Sequence, residues 1–197
     1  MHFIFRASEF WPGLLLATLL ALPAQAQTPG DWKLFVSSDG FSIRYPADWP
    51  IRLPSIQTPN LDIVSKEPPA NRAYEKGQSD IFVMKLVAAK TIAQAMTMFY
   101  VPGPEFHYHL GTDAEIPVPS GSQCSHMHER VASYDTESFT ELARHAPPGP
   151  QQTSTDYYCQ IGGTIIEVDA AYAKGDKREP FYQQIALTMA RSIRVLH

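Results

Sequence analysis

Two pairs of histidines are the residues of this chain whose type and spacing suit metal chemistry best. His107 and His109 form one H-x-H pair, and His126 and His128 form the second. Residues two apart on a β-strand point to the same side, so each pair would present two imidazoles together. Imidazole is a good ligand for Zn²⁺ and Cu²⁺. Two such pairs lying side by side would therefore form a site for either ion.

The two cysteines of the chain, Cys124 and Cys159, allow two different interpretations. An even number of cysteines in an exported protein usually indicates a disulfide, and we predict a bond between these two. Such a bond would stabilise the fold by roughly 4 kcal/mol on the chain-entropy model. The alternatives are two buried free thiols, or a metal role in which Cys124 continues the row of His126 and His128 as a third ligand.

The metal hypothesis competes with a simpler one, because H-x-H pairs also occur on solvent-facing strands and the first pair lies in a stretch without regular periodicity. We therefore expect no cofactor, with Zn or Cu binding as the alternative. The sequence has no G-x-S-x-G, G-x-x-x-x-G-K-[ST], G-x-G-x-x-G or C-x-x-C motif. Glu167 and Asp169 share one strand face, and we predict that this face is solvated. We expect a protein that is not an enzyme.

The N-terminal 26 residues have the pattern of a cleaved signal peptide. Arg6 precedes an apolar run from Leu14 to Leu22, which is shorter than the roughly 20 residues of a membrane span. Ala24-Gln25-Ala26 then matches an A-x-A cleavage site, so an uncleaved anchor is the less favoured alternative. We predict a mature chain of residues 27–197 that forms a single domain, is periplasmic or secreted, and has no membrane span after cleavage.

The net charge of −4 argues against nucleic acid as a partner. We expect a soluble protein that binds an unknown envelope protein or a small ligand. The first candidate binding loop combines aromatic residues with histidines and prolines, and its aromatic members are Tyr100, Phe106 and Tyr108. The second candidate loop runs from Asp135 to Gln152. Binding residues are often found on loops, which is the basis of both predictions.

Alternating and helical periodicities predict seven strands or strand segments and two helices. The strands are Trp32–Val36, Phe41–Tyr45, Asn60–Ser65, Asp80–Ala88, Gln123–Tyr134, Thr155–Ile161 and Thr164–Tyr172. One helix begins after Thr91 as N-cap, and the other begins at Pro180. Strands joined by short turns such as Gly162-Gly163 favour an antiparallel sheet. The predicted fold class is therefore α+β, an antiparallel β-sheet with helices packed on its faces.

The segment Gly40-Phe41-Ser42-Ile43-Arg44-Tyr45-Pro46-Ala47-Asp48-Trp49, together with the ending Ala190-Arg191-Ser192-Ile193, resembles the Mog1/PsbP-like α/β/α sandwich family. The resemblance covers the mature chain in element order, and it is specific in sequence only near the start. It implies the sandwich fold and a non-enzymatic role, since the family includes photosystem assembly subunits, a nuclear-transport factor and exported bacterial proteins of unknown activity. It carries over Phe41, Tyr45, Pro46 and Trp49 as fold residues, and no catalytic residue.

Overall fold

The structure of the protein is a computed structural model, and it describes residues 31–53, 61–64, 79–98, 108–135 and 150–196. The strands are β1 Trp32–Val36, β2 Phe41–Pro46, β3 Ile51–Arg52, β4 Leu61–Val64, β5 Ser79–Leu86, β6 Tyr108–Ile116, β7 His126–Asp135, β8 Pro150–Ile161, β9 Thr164–Ala173 and β10 Arg194–Val195. The helices are α1 Ile92–Met98 and α2 Glu179–Arg191.

The first two predicted strands are confirmed and form a hairpin, which we call the entry hairpin. β1 and β2 pair in antiparallel fashion, and β10 joins the free side of β2 to complete a three-stranded sheet. Gly40 takes a positive φ of 79° in the turn, a conformation that glycine adopts without steric cost. Phe41, Ile43 and Tyr45 are buried on the face of β2 that meets the core, whereas Arg44 is exposed.

The remaining strands form an antiparallel seven-stranded sheet in the order β3-β4-β5-β9-β8-β7-β6. The predicted hairpin of β8 and β9 is confirmed, with Gly162 at φ 58° in the connecting turn. Strand β6 lies in a stretch for which the sequence predicts no regular element. It is an edge strand whose residues from Leu110 to Glu115 are all exposed, with a bulge between Leu110 and Asp113, so it carries little hydrophobic alternation.

Strand β8 begins five residues before the predicted start at Thr155, inside a stretch predicted to be mostly loop. The predicted strand is too short because of composition. Residues 150–154 are Pro-Gln-Gln-Thr-Ser and lack the apolar side chains that favour a strand. Their pairing with β7 and β9 supplies the order that local sequence does not.

Helix α2 packs on one face of the seven-stranded sheet and also against β2. Pro180 lies in its first turn, as predicted, where the missing N–H leaves no helical hydrogen bond unmade. Ile185 and Met189, which lie one turn apart on α2, are buried. They belong to a core cluster that includes Ile81, Val83, Tyr157, Cys159, Ile166, Val168, Tyr172, Tyr182 and the inward residues of β2.

A second, smaller cluster lies on the opposite face of the same sheet, under α1. It contains Leu86, Ala95, Tyr158 and Ile165, with Ile92, Met84 and Met96 packed against it. The predicted N-cap is confirmed, because the Thr91 hydroxyl accepts a hydrogen bond from the backbone N–H of Gln94 at 3.2 Å. Helix α1 therefore covers the polar side of β8 and β9, the side that the sequence predicted to be solvated.

Candidate functional site

The predicted disulfide is present between Cys124 and Cys159, with the two Cα atoms 5.4 Å apart. Both cysteines are buried in the core on the α2 side of the sheet. The turn that precedes β7 places Cys124 with Met127 rather than with His126, which is exposed. The possible ligand row of Cys124, His126 and His128 is therefore wrong, because the cysteine is bonded and points away from the histidines.

His126 and His128 lie on β7, and each contacts a carboxylate of the neighbouring edge strand. The His126 Nδ1 atom is 3.2 Å from Oε1 of Glu115, and both side chains are well exposed. The His128 Nε2 atom is 2.5 Å from Oδ1 of Asp113, and 19% and 29% of the two side-chain surfaces are exposed. Within this part of the sheet the histidines are thus partners of acidic residues across the β6–β7 ladder.

His109, the described member of the other histidine pair, is separated from His126 and His128 along the sheet. The β6–β7 register places His109 opposite Ser133, which is five residues beyond His128 on β7. Five residues of extended strand span roughly 17 Å, which is more than two imidazoles can bridge. His107 lies outside the described residues. Among the residues that the structure describes, no three His, Cys, Asp or Glu side chains lie close enough together to hold one metal ion.

A cluster of buried carboxyl groups is the most unusual chemical feature of the described chain. Asp156 on β8 and Glu167 on β9 expose only 7% and 6% of their surface, and the neighbouring Asp169 is partly buried. We call these three residues the carboxyl cluster. The prediction that Glu167 and Asp169 face solvent is wrong, because α1 and its packing residues cover this side of the sheet. Carboxyl groups are rarely buried unless they are paired or protonated.

Asp156 and Asp169 are direct cross-strand partners, and one hydroxyl contacts both of them. The Ser154 Oγ atom lies within hydrogen-bond distance of Oδ1 of Asp156 and is 2.8 Å from Oδ1 of Asp169. A hydroxyl has one hydrogen to donate, so Ser154 can donate to only one of the two carboxyl oxygens and can accept from the other only if that carboxyl is protonated. The pKa of each aspartate is raised, so the arrangement favours a proton on one of the two groups.

Burial raises the pKa of all three carboxyl groups above the ordinary range. For Glu167 the pKa rises to about 8, mainly through desolvation and then through the charge of Asp156; the hydrogen bond from Tyr158 partly offsets the increase. For Asp169 the causes are again desolvation and then the charges of Asp156 and Glu167. Desolvation also raises the pKa of the Tyr158 phenol, so Tyr158 remains a hydrogen-bond donor.

Arg130 on β7 lies opposite Asp156 in the register, and its positive charge acts to lower the pKa of that carboxyl group against the effect of burial. Its Nη1 atom donates a hydrogen bond to the backbone oxygen of Met96 in α1 at 3.1 Å, and its Nη2 atom is 3.5 Å from Oδ2 of Asp113. Desolvation acts to raise the pKa of Asp113, but hydrogen bonding to His128 and the charge of Arg130 outweigh it and lower that pKa. Arg130 thus links the edge strand, α1 and the cluster.

The carboxyl cluster can store protons and accept hydrogen bonds, and such perturbed groups are concentrated at functional sites. Sequence reasoning missed the carboxyl cluster because β9 alternates apolar and acidic residues. Ile166 and Val168 lie on one face of the strand and Glu167 and Asp169 on the other, which is the pattern of a half-exposed strand. One available signal was that Asp156 precedes Tyr157 and Tyr158, and bulky aromatic neighbours on both faces indicate a strand covered on both sides.

The residues of the first predicted binding loop are only partly described. Tyr100 and Phe106 lie outside the described residues, and Tyr108 is the first residue of β6. The register places Tyr108 opposite Tyr134, and Asp135 opposite Pro150. Tyr108, Asp135 and Pro150, the described residues next to 99–107 and 136–149, therefore lie at the same end of the sheet on three adjacent strands.

Solved structures of several proteins share this fold. The cyanobacterial PsbP protein CyanoP from Synechocystis sp. PCC 6803 matches with a TM-score of 0.50 and 12% identity, covering 83% of this chain and 92% of that one. A Mog1 variant matches with a TM-score of 0.51 and 11% identity, covering 84% and 96%. LpqN of Mycobacterium tuberculosis, involved in cell envelope biogenesis, matches with a TM-score of 0.50 and 12% identity, covering 85% and 91%.

These likenesses show that the chain has the Mog1/PsbP-like fold, as its opening and closing segments predicted. At such low identity they establish the fold alone. No protein-family model matches the sequence, and no curated protein matches it. Neither of the helices in the described residues is long and apolar enough to cross a membrane.

Proposed function

We propose that this protein is an exported, non-catalytic accessory protein that binds an envelope protein or a small ligand. Its binding surface lies at the end of the seven-stranded sheet where residues 99–107 and 136–149 join β6, β7 and β8. The observation that carries this proposal is the register of β6, β7 and β8, which brings the attachment points of both candidate loops together.

Two features support export. The Cys124–Cys159 disulfide is buried in the core, and structural disulfides persist in oxidising compartments such as the periplasm. The N-terminal 26 residues have the charged, apolar and small-residue regions of a signal peptide. Mass spectrometry of the protein recovered from a fractionated cell would test this part, with Gln27 as the expected first residue. An intact Met1 in the cytoplasmic fraction would contradict it.

The chemistry of the carboxyl cluster supports a role without catalysis. Its groups satisfy one another through Ser154 and Tyr158, so the hydrogen-bonding capacity of the cluster is largely used internally. LpqN, which shares the fold, is described as involved in cell envelope biogenesis, and an accessory role of that kind in the envelope is compatible with this chain. Turnover of envelope-derived substrates by the purified protein would contradict the proposal.

A photo-crosslinking amino acid tests the binding surface directly. It would replace Tyr108, at the proposed end of the sheet, and in a matched control it would replace Ser120, an exposed residue of the loop between β6 and β7 at the opposite end. We expect a discrete adduct from position 108 in living cells and none from position 120. Equal adducts at both positions, or no adduct together with no thermal shift from an envelope metabolite panel, would refute the surface.

Metal binding by the histidine pairs is the alternative function. The β6–β7 register argues against a joint site of all four histidines, since His109 is remote from His128 along the ladder. A site made from His126 and His128 alone would have to displace their carboxylate partners, Glu115 and Asp113. Calorimetric titration with Zn²⁺ and Cu²⁺ tests it. If the alanine double variant of His126 and His128 binds as wild type does, the alternative is wrong.

A further inference from the structure

We propose that the carboxyl cluster and Arg130 form a pH-dependent conformational switch for α1. While the cluster keeps its protons, Arg130 holds the last turn of α1 against the sheet. When the cluster loses protons, Arg130 turns towards the carboxylates and the last turn of α1 is released. This inference concerns a property of the fold, and it does not depend on export or on the binding surface proposed above.

The first step is the proton content of the cluster. The Ser154 hydroxyl lies within hydrogen-bond distance of both Asp156 and Asp169. The hydroxyl has one hydrogen, so it can donate to only one of them, and a proton on the other carboxyl group avoids placing two negative charges side by side. The cause lies in the pairing of β8 with β9, which sets the two aspartates directly opposite each other under a covered face. Like charges at that spacing strongly disfavour joint ionisation.

The second step is the position of Arg130. Its guanidinium donates to the oxygen of Met96, one of the last four carbonyls of α1, which have no partner within the helix. A cation at this helix end is also favoured by the helix dipole. The Arg130 Nε–H group is buried and has no hydrogen-bond partner among the described residues. A donor is thus available for a carboxylate that appears when the cluster ionises.

The third step is the weakness of α1 itself. It has seven residues, and helices of that length are not stable in water without tertiary contacts. Ala95 is fully buried against the sheet, but the C-terminal turn also depends on the bond from Arg130. Ionisation of one carboxyl group in the cluster is therefore enough to shift the last turn of α1 between a docked and a released position.

The other titratable and charged groups on this face set the background for the switch. They are Asp113 and Glu115 on β6, His126 and His128 on β7, Tyr158 on β8 and Asp80 on β5, and α1 carries none. His128 is the principal competitor, because histidine side chains in general change charge between pH 5 and 8. Its partner Asp113 also contacts Arg130, so a histidine-driven response has to be separated from a carboxyl-driven one.

The test is amide hydrogen exchange of the full, disulfide-bonded chain, followed by NMR between pH 5.5 and 8.5 and corrected for the intrinsic exchange rates. We expect the protection of amides in the last turn of α1, at Met96 and Thr97, to fall at least tenfold over this range. The amide of Ile185 in α2 serves as the internal reference and should keep its protection, which distinguishes a local opening from global unfolding.

Variants assign the response to its group. Glu167→Gln and Asp169→Asn keep the shape of the side chains without the charge, and we expect each to reduce the pH response of α1 to less than threefold. Glu115→Gln, an exposed carboxyl on the same face, is the matched control and should respond as wild type does. Arg130→Gln should show low α1 protection at every pH.

Three results would overturn the proposal. The first is unchanged α1 protection in wild type across the pH range, a measurement that needs no variant to fold. The second is a full response in both Glu167→Gln and Asp169→Asn. The third is loss of the response in His128→Gln with the carboxyl variants unaffected, which would assign the pH dependence to the histidine instead.

Discussion

The indole of Trp49 and the ring of Phe181 lie with their centroids 6.4 Å apart and their planes tilted by 54°. This contact joins the segment that follows the entry hairpin to the first turn of α2. Phe181 in turn meets Tyr182 edge-on, and the Arg178 guanidinium lies 5.1 Å from the Phe181 centroid. Tilted aromatic pairs at such distances stabilise beyond the apolar area that they bury.

Trp49→Ala is expected to lower the free energy of unfolding by about 3–5 kcal/mol, because it removes a large buried side chain and its ring contact. Urea denaturation followed by far-ultraviolet circular dichroism measures the change. Leu34→Ala, at a side chain that is 62% exposed on the outer face of β1, is the control and should cost less than about 0.5 kcal/mol. Equal losses in the two variants would contradict the assignment of Trp49 to the core.

Removal of the disulfide should lower stability by roughly 4 kcal/mol, since the bond spans 35 residues and limits the freedom of the unfolded chain. The double variant Cys124→Ala and Cys159→Ala avoids leaving a polar group in this buried site. Thermal unfolding of wild type with and without a reductant gives the same comparison without a mutation. An unchanged melting temperature in both experiments would show that the bond carries no stability.

Stability should fall as the pH rises from about 4.5 to about 8 through the titration of Glu167. In this window the folded protein keeps a proton on Glu167 that the unfolded chain has already lost, so raising the pH favours unfolding. Glu167→Gln should therefore unfold at a higher temperature than wild type at pH 8 and at nearly the same temperature at pH 4.5. Calorimetric melts at intervals of half a pH unit would show the difference, and parallel pH profiles for the two proteins would refute it.

Ser192→Ala should cost about 1–2 kcal/mol, because the Ser192 hydroxyl makes one hydrogen bond to β2 and one to the end of α2. Its Oγ atom accepts from the backbone N–H of Arg44 at 2.8 Å and donates to the oxygen of Met189 at 2.7 Å. Thr188→Ala is a matched control, since the Thr188 hydroxyl bonds only within α2, to the oxygen of Gln184 and the side chain of Gln184. Chemical denaturation of both variants decides whether the hydrogen bond that joins Ser192 to β2 stabilises the fold.

The entry hairpin was predictable because its information is local. Alternating residues in Phe41 to Tyr45 and a glycine with positive φ in the turn specify a strand and a turn without reference to distant parts of the chain. The same applies to the β8–β9 turn at Gly162 and to the start of α2 at Pro180. Edge strand β6 was missed because exposed strands carry little hydrophobic alternation, and only pairing with β7 orders this one.

The candidate site shows the same division. The sequence by itself determined the disulfide partners, since only two cysteines exist, and it determined which residues share a face of each strand, since that depends on parity alone. Only the tertiary structure decided that the face carrying Glu167 and Asp169 is covered, because burial depends on α1, a helix more than 60 residues earlier in the chain. It likewise decided that Asp156 meets Asp169, because proximity across a sheet follows from strand register, and register is fixed by packing between distant segments.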